Sequence, residues 1–256
     1  MLLSSQCDYL NTTRKALVCI SMSANEGKRF IDLLQKREML KGAKVFGMLL
    51  SLATSQYAVK RNYHELSTAL DKYEGNLDIW AVEKRALLNA FLKEFSRLLH
   101  NYLSSIYSLI QHTQQFRKEL GHSELNKDYY EKLKDLQSNN CVKFVRDLRT
   151  YSQHIGLLII SANLSFTRTD REAGEGKIEH KILLEKKDLM KWKKWHRNSR
   201  RYINSHEKID LKIALGEYQT LIKDFYQWFY KRVMELYSKE LKELAEIDSE
   251  LARLSH

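Results

Sequence analysis

The sequence predicts a mainly α-helical protein: a helical bundle with two long helices and one inserted antiparallel β-hairpin. Apolar residues recur at steps of three or four through most of the chain, which is the period of an amphipathic helix. The 256 residues include no proline, the residue that breaks helix interiors. One stretch, about 157–186, instead alternates with a period of two, which is typical of strands. No Gly- or Ser-rich linker interrupts the chain, so we expect a single helical domain over residues 1–256.

The first long helix is predicted from Leu77 to about Leu120, after shorter helices around 25–50 and 62–73. Asp78 is its expected N-cap, and Gly121 is the expected residue just beyond its C-terminus. Unbroken, it would be about 65 Å long, whereas a compact domain of this size has a radius of gyration of about 18 Å. It must therefore bend, break or pack against another long element, in this chain or in a second subunit.

The second long helix is predicted to begin near Asp210 and to extend as far as Leu254, after helices around 127–137, 140–155 and 188–203. Its expected buried stripe recurs at helical spacing and consists of Leu211, Ala214, Tyr218, Leu221, Phe225, Trp228, Val233 and Leu236. Aromatic residues crowd the stretch DFYQWFY, residues 224–230. Core packing explains some of them, and a subunit contact would explain the rest.

The β-hairpin is predicted from two alternating runs on either side of the glycine-containing turn REAGEG. Their apolar-side positions are Ile160, Ala162, Leu164 and Phe166, then Ile178, His180, Ile182 and Leu184. Leu183 is the one mismatch, since it is apolar on the polar side. We interpret His180 as a packed, hydrogen-bonded residue rather than a ligand. Two strands alone are marginal in water, so one face must lie on the helices.

The net charge of +11 favours a polyanionic partner: RNA, DNA or an anionic membrane surface. Residues 186–201 hold eight basic residues and a single acid, Asp188. Trp192, Trp195 and Tyr202 interleave these charges, and they could stack on unpaired bases or form the buried side of an amphipathic helix. The predicted nucleic-acid-binding residues are Lys191, Lys193, Lys194, Trp195, Arg197, Arg200 and Arg201.

The three cysteines, Cys7, Cys19 and Cys141, are widely spaced, which suits a reducing compartment and excludes a sequence-local zinc site. The apolar run at residues 16–22 is too short to span a membrane and lacks the layout of a signal peptide. We therefore expect a cytoplasmic protein without a membrane partner.

The helix predicted at 140–155 carries the candidate chemistry. Its expected buried stripe consists of Phe144, Val145, Leu148, Tyr151 and Ile155. Asp147, Thr150 and His154 share one flank, and Arg146, Arg149 and Gln153 share the other. On an ideal helix Arg149 and His154 are therefore about 140° apart. They would converge if the last turn unwinds before Gly156, or if the stripe faces a twin subunit.

Arginine and histidine together suit phosphodiester chemistry. Histidine exchanges protons near neutral pH, and arginine holds a phosphate through two hydrogen bonds. RNA supplies its own nucleophile, the 2′-hydroxyl, so such a nuclease needs no metal or other cofactor. Spacing alone is weak evidence, because Arg-x4-His also occurs at Arg117/His122 and Arg201/His206. The chain has no Gly-rich phosphate loop, G-x-S-x-G or H-E-x-x-H motif.

The stretch RDLRTYSQH, residues 146–154, resembles the R-x4–6-H motif of the HEPN superfamily. The resemblance implies an all-α core over about 78–254, to which the hairpin at 157–186 would be an elaboration. It also implies a homodimeric, metal-independent endoribonuclease of the toxin–antitoxin or phage-defence type, with an antitoxin or regulatory protein as a further partner. By the resemblance, Arg149 would stabilise the scissile phosphate, and His154 would serve in proton transfer or in stabilising the leaving group.

Asp147, Thr150 and Tyr151 would support this site. Thr150 departs from the motif, which commonly has Asn, Asp or His there. Some members of the superfamily are non-catalytic, so two alternatives remain open. One is a helical nucleic-acid-binding module without chemistry. The other is a regulatory interaction protein that uses the aromatic face of residues 218–237.

Overall fold

The computed structural model describes residues 23–74, 85–154, 161–168 and 176–255, and within these ranges it confirms the mainly α fold with a β-hairpin. The described ranges contain nine helices and three strands. In chain order they are α1 Ala24–Met39, α2 Lys41–Glu74, α3 Arg85–Leu120, α4 Ser123–Ser138, α5 Asn140–His154, β1 Ser161–Arg168, β2 Gly176–Glu185, α6 Lys186–Leu189, α7 Arg197–Asn204, β3 Lys208–Asp210, α8 Leu211–Leu236 and α9 Ser238–Leu254.

The chain divides into two compact units, Met1–Leu50 with Arg232–His256, and Ser51–Lys231. The divisions fall inside α2 and α8. The expectation of one domain over residues 1–256 stays a prediction. None of the described helices combines the length and the apolar character that crossing a membrane requires.

In the first unit, α1 packs against α9 through a small apolar cluster centred on Phe30, Ile247 and Leu251. Ion pairs flank the cluster, because the guanidinium of Arg37 donates to Asp248 and the Nζ of Lys41 lies 3.0 Å from Glu240. The backbones of α2 and α9 approach each other closely at Gly42, where a Cβ atom would overlap the carbonyl oxygen of Glu240. Glycine is therefore required there.

The helix predicted from near Asp210 to Leu254 is two helices, because α8 ends at Leu236 and α9 begins at Ser238. Tyr237 between them has φ −111° and ψ 19°. Its backbone N–H still donates to Val233, and its carbonyl still accepts from Leu241. The ring of Tyr237 is buried, with the Nζ of Lys41 4.9 Å from its centroid. The sequence contains no Gly or Pro at this break, so local signals do not reveal it.

The helix bounds predicted at the amino-terminal end are also wrong. Leu40 has extended backbone and ends α1, after which α2 continues for 34 residues without a break. Every seventh residue of α2 is buried, which is the spacing of a long helix that packs along its whole length. These residues are Val45, Leu52, Val59, Leu66 and Tyr73.

In the second unit, the long helix α3 packs against long helices of its own chain. Its 36 residues would extend about 54 Å. Tyr73 of α2 stacks on Phe91 at 4.3 Å between ring centroids, and Thr113 hydrogen-bonds the hydroxyl of Tyr226 of α8 at 2.8 Å. Gly121 follows α3 with φ +60°, which confirms it as the residue beyond the C-terminus. Asp78 lies outside the described residues.

The aromatic stretch of α8 is mainly core. Phe225, Tyr226 and Phe229 are buried, and the rings of Phe225 and Phe229 pack edge-on against Tyr129 of α4. Trp228 is half-buried, as are Leu221 and Leu236 of the predicted stripe. This burial removes most of the aromatic surface that a partner at residues 218–237 would need.

The sheet has the strand order β1-β2-β3 and is antiparallel throughout. The predicted hairpin forms with Phe166 opposite Ile178 and Leu164 opposite His180. Most of the turn and the side chain of His180 lie outside the described residues. The short strand β3 was not predicted, and its Ile209 pairs with Leu184. Ile182, Leu183 and Leu184 are all buried, so the mismatch at Leu183 reflects a strand covered on both faces.

Candidate functional site

The apolar face of α5 is buried within this chain. Phe144, Val145, Leu148 and Tyr151 are all buried, as the helical periodicity predicts, whereas Ile155 lies outside the described residues. Cys141 and Val142 are buried too. The expectation that this stripe could face a twin subunit is therefore wrong, since its neighbours are supplied by the same polypeptide.

An aromatic cluster closes this buried face. Tyr151 stacks on Trp195 with ring centroids 5.5 Å apart, and Trp192 meets both rings edge-on. Phe144 stacks on Tyr202 at 5.0 Å. Trp195 is only 4% exposed, and its indole N–H donates to the carbonyl of Leu189 at 2.7 Å.

This cluster changes the roles predicted for two site residues. Trp195 was predicted to contact nucleic acid, but its buried ring offers no face for an unpaired base. Tyr151 was predicted to support the catalytic site, and the structure places it in the same core. The single helix predicted at 188–203 is also wrong, because the chain between α6 and α7 leaves the helical path at residues 192–196.

Asp147 connects α5 to the start of α7. Its Oδ2 accepts two hydrogen bonds, from the backbone N–H of His196 and from the hydroxyl of Ser199, both at 2.7 Å. Ser199 is completely buried. A carboxylate at a helix N-terminus also satisfies backbone donors and interacts favourably with the helix dipole. Asp147 therefore fixes the position of His196 rather than acting as an unengaged acid or base.

The opposite side of α5 borders a cleft of about 210 Å³, which we call the α3–α5 cleft. Three cations of α5 line it at a spacing of three residues: Lys143, Arg146 and Arg149. We call these three residues the cationic stripe. Thr150 of α5, together with Tyr107, Gln111 and Gln114 of α3, adds polar and aromatic groups. His196 and several apolar side chains of α3 and α5 also line the cleft.

Arg149 rests on an aromatic ring at this cleft. Its guanidinium carbon lies 3.7 Å from the ring centroid of Tyr107, which is a cation–π contact. The Nε of Arg149 is buried, and among the described residues no acceptor hydrogen-bonds it. A buried donor without an acceptor is unfavourable, so Arg149 carries an unsatisfied polar atom beside the cleft.

The positive charges of the cationic stripe also repel one another, which an anion would relieve. Partial burial lowers the pKa of Lys143, and the neighbouring charge of Arg146 lowers that pKa further. The Nζ of Lys143 donates to the Gln137 side chain at 3.0 Å, which orients it without neutralising it. The one acid in the cleft lining, Asp147, already accepts from His196 and Ser199. The arrangement therefore favours a bound anion.

The structure describes the side chain of only one of the two predicted catalytic residues. Arg149 lines the cleft, whereas His154 is the last residue of α5 and its side chain lies outside the described residues. Whether the two converge stays a prediction.

The structure instead places a second imidazole, His196, in the cleft. The backbone N–H of Asn198 donates to its Nδ1 at 3.2 Å, which selects the neutral tautomer with the proton on Nε2. Sequence spacing could not reveal His196, which lies more than forty residues from Arg149.

In the other two Arg-x4-His pairs, Arg117, His122 and His206 make contacts within the fold. Arg117 is buried and lies between the rings of Tyr129 and Tyr130. His122 caps α4 by accepting from the N–H of Leu125. The Nδ1 of His206 lies within hydrogen-bonding distance of the carbonyl oxygen of Tyr202. Of the three matches, Arg149/His154 is the one whose arginine lines a cationic cleft.

The predicted basic segment is largely separate from this cleft. Its charged members Lys191, Lys193, Lys194, Arg197, Arg200 and Arg201 are exposed. Lys191 pairs with Asp188, and the guanidinium of Arg200 donates to the carbonyl of Lys193. Within residues 186–201, which are all described, His196 is the residue that lines the α3–α5 cleft.

The resemblance to the HEPN superfamily rests on the sequence motif. Comparison with known protein families, with curated proteins and with solved structures finds no match to this chain. The functional assignment therefore depends on the chemistry of the α3–α5 cleft.

Proposed function

We propose that this protein is a metal-independent endoribonuclease of HEPN type that binds RNA at the α3–α5 cleft. The cationic stripe carries the proposal, because its three positive charges face one small cleft whose single acid is already engaged. Phosphate is the anion that arginine's planar donors match best, and the phosphodiester backbone of RNA supplies it at regular intervals.

In the proposed reaction, Arg149 donates hydrogen bonds to the non-bridging oxygens of the scissile phosphate and offsets their growing charge. The 2′-hydroxyl loses its proton to a histidine while its oxygen bonds to phosphorus. The bond from phosphorus to the 5′-oxygen breaks, and that oxygen takes up a proton from the protonated histidine or from water. The products are a 2′,3′-cyclic phosphate and a 5′-hydroxyl.

His154 is the proposed proton-transfer residue, and His196 is the second imidazole available. Cleavage of single-stranded RNA in EDTA tests the assignment, with the chain ends identified by mass spectrometry. We expect His154→Ala and Arg149→Ala each to slow cleavage by about 10²- to 10⁴-fold. His64→Ala is the matched control, because His64 is exposed on α2 and should cut at the parental rate.

The outcome for His196→Ala separates the two imidazoles. If it loses activity while His154→Ala retains the parental rate, the proton-transfer role belongs to His196 and the motif assignment fails. If both variants and Arg149→Ala cleave like the parent, the cleft is not the active site.

A composite dimeric site is the second part of this proposal, and mixing two inactive variants tests it. If Arg149 and His154 of one site come from different subunits, mixed Arg149→Ala and His154→Ala proteins regain about a quarter of the parental activity. Random exchange then creates heterodimers in half of the dimers, each with one intact site. If both residues act within one subunit, the mixture stays inactive.

A non-catalytic nucleic-acid-binding protein is the alternative. The structural use of Asp147 and Tyr151 favours it, because two residues predicted to support catalysis are instead engaged in hydrogen bonds and ring packing. This alternative predicts RNA affinity that falls steeply with salt and depends on the cationic stripe. Intact RNA after prolonged incubation, together with such binding, would support it over the nuclease.

A further inference from the structure

A second depression of about 440 Å³ adjoins the α3–α5 cleft. The two share Lys143 and His196 in their linings, so they adjoin each other in the second unit, and we call them together the groove. Tyr130 and Lys134 of α4 line the far part, which we call the Tyr130 depression. Its lining contains no acidic residue, so the positive potential of the cationic stripe continues along the groove.

Tyr130 is an unusually exposed aromatic residue held from one side. Its side chain is 62% exposed, whereas Arg117 is 7% exposed. The guanidinium carbon of Arg117 lies 4.4 Å from the centroid of the Tyr130 ring and 3.8 Å from that of Tyr129. The Nε of Arg117 donates to Asn126 at 3.0 Å. The buried guanidinium of Arg117 thus lies over the Tyr130 ring, Tyr129 packs against that ring edge-on, and most of the side chain stays exposed to solvent.

The two ends of the groove therefore have the same construction. At one end Arg149 packs on Tyr107, and at the other Arg117 packs on Tyr130. Lys143 belongs to both parts of the groove. Positive charge that follows a backbone, together with aromatic rings on which bases stack, is the arrangement that recognises unpaired nucleic-acid strands. A duplex hides its base faces in the stack and offers none to Tyr130.

We infer that the groove binds a single RNA strand whose base stacks on the exposed ring of Tyr130 while its phosphates contact Lys143 and the cleft. This inference deepens the proposed function and rests on it for the identity of the ligand. It assigns the substrate as single-stranded RNA several nucleotides long. It also gives the buried Arg117 a positioning role, since its guanidinium holds the Tyr130 ring at the surface.

Binding to a non-cleavable strand tests the inference independently of catalysis. The probe is a fluorescent 2′-O-methyl oligouridylate of eight nucleotides, titrated with full-length protein in EDTA and read by anisotropy. We expect Tyr130→Ala to weaken its binding about tenfold, which is typical for the loss of one stacked base. Tyr130→Leu should weaken it similarly, because leucine still covers Arg117 but has no aromatic face. Tyr130→Phe should stay within about twofold of the parent.

Matched probes and a control variant complete the experiment. Tyr57 is 67% exposed on α2 and does not line the groove, so Tyr57→Ala should bind like the parent. A dinucleotide that occupies only the cleft should not distinguish Tyr130→Ala from the parent. The duplex form of the long probe should bind more weakly than the single strand.

The inference is overturned if Tyr130→Ala and Tyr130→Leu both bind the long probe like the parent, or if the duplex binds as tightly as the single strand. Its failure is distinct from failure of the nuclease proposal. Cleavage that depends on Arg149 but not on Tyr130 would remove this inference alone. Binding that depends on Tyr130 without any cleavage of ordinary RNA would remove the nuclease alone.

Discussion

The two faces of α5 have different roles: one packs in the core, and the other lines the cleft. One face places Phe144, Leu148 and Tyr151 in the core, where Trp195 stacks on Tyr151. The other face places the cationic stripe at the α3–α5 cleft. Burial of apolar area stabilises the fold, whereas like charges held together destabilise it until an anion binds. The difference shows that one amphipathic helix can carry the residues that stabilise the fold on one face and the residues that bind an anion on another.

Cations elsewhere in the chain sharpen this contrast. In the first unit, Arg37 pairs with Asp248 and Lys41 with Glu240, and the hydrogen bond to Asp248 raises the pKa of Arg37. In the cleft lining, the corresponding carboxylate, Asp147, binds α7 instead. The same residue types thus connect helices in one place and await a ligand in the other.

The largest expected effect belongs to the apolar face. Trp195→Ala should lower the free energy of unfolding by about 3–5 kcal/mol, because it empties a buried site of its largest ring. Urea denaturation followed by circular dichroism measures the loss, and Trp195→Phe should lose less. RNA affinity per folded molecule should be unchanged. Reduced RNA affinity at full stability would return Trp195 to the binding surface and contradict its role in the core.

Asp147 lies between the two faces, and its removal should have the next largest effect. Asp147→Ala should cost about 1–2 kcal/mol of unfolding free energy, the usual loss when a helix-capping acceptor is deleted. Asp224→Ala, at an exposed position on α8, is the control and should stay within about 0.5 kcal/mol of the parent. Equal stability of the two variants would show that the hydrogen bonds to His196 and Ser199 contribute nothing.

Substitutions in the cationic stripe should change the affinity for RNA. Arg146→Gln should weaken binding of single-stranded RNA about tenfold at low salt and make the salt dependence shallower by about one ion. Arg37→Gln should leave RNA affinity unchanged and cost no more than about 1 kcal/mol of stability. Anisotropy titrations at several salt concentrations measure both. Equal losses of affinity in the two variants would mean that net charge alone, rather than the cleft, binds RNA.

The smallest expected effect concerns Lys143 and pH. Burial and Arg146 hold the pKa of Lys143 below its ordinary value, so the folded state disfavours the charged form. In the parent, the free energy of unfolding should therefore rise as pH increases from the lowered pKa to the ordinary lysine value. This contribution is lost again as pH falls through the lowered pKa. Lys143→Gln should remove this rise and stabilise the protein at neutral pH by about 0.2–0.5 kcal/mol.

Denaturation at a series of alkaline pH values, with parent and variant compared at each pH, measures the effect. Lys143→Gln should also weaken RNA binding, so stability and affinity change in opposite directions. A variant that is less stable than the parent at every pH would contradict the repulsion assigned to Lys143 and Arg146.

The sequence by itself determined what depends on neighbours within a few turns. Helical periodicity gave the apolar face of α5 and the long helix that ends before Gly121, and alternation gave the hairpin. These patterns repeat over three or four residues in helices and over two in strands, so they can be read without knowing the rest of the fold. The seven-residue spacing on α2 was equally present in the sequence, but the helices predicted around 25–50 and 62–73 left Leu52 and Val59 in the gap between them.

Only the tertiary structure decided which polar groups meet. It brought His196 into the cleft with Arg149 and joined Asp147 to Ser199 by a hydrogen bond. It also buried the ring of Trp195, although the charged residues around it in the basic segment are exposed. It also broke the last helix at Tyr237, where no Gly or Pro marks the sequence. The physical reason is that such contacts join residues far apart in the chain, and packing of the whole core selects them rather than local backbone preference.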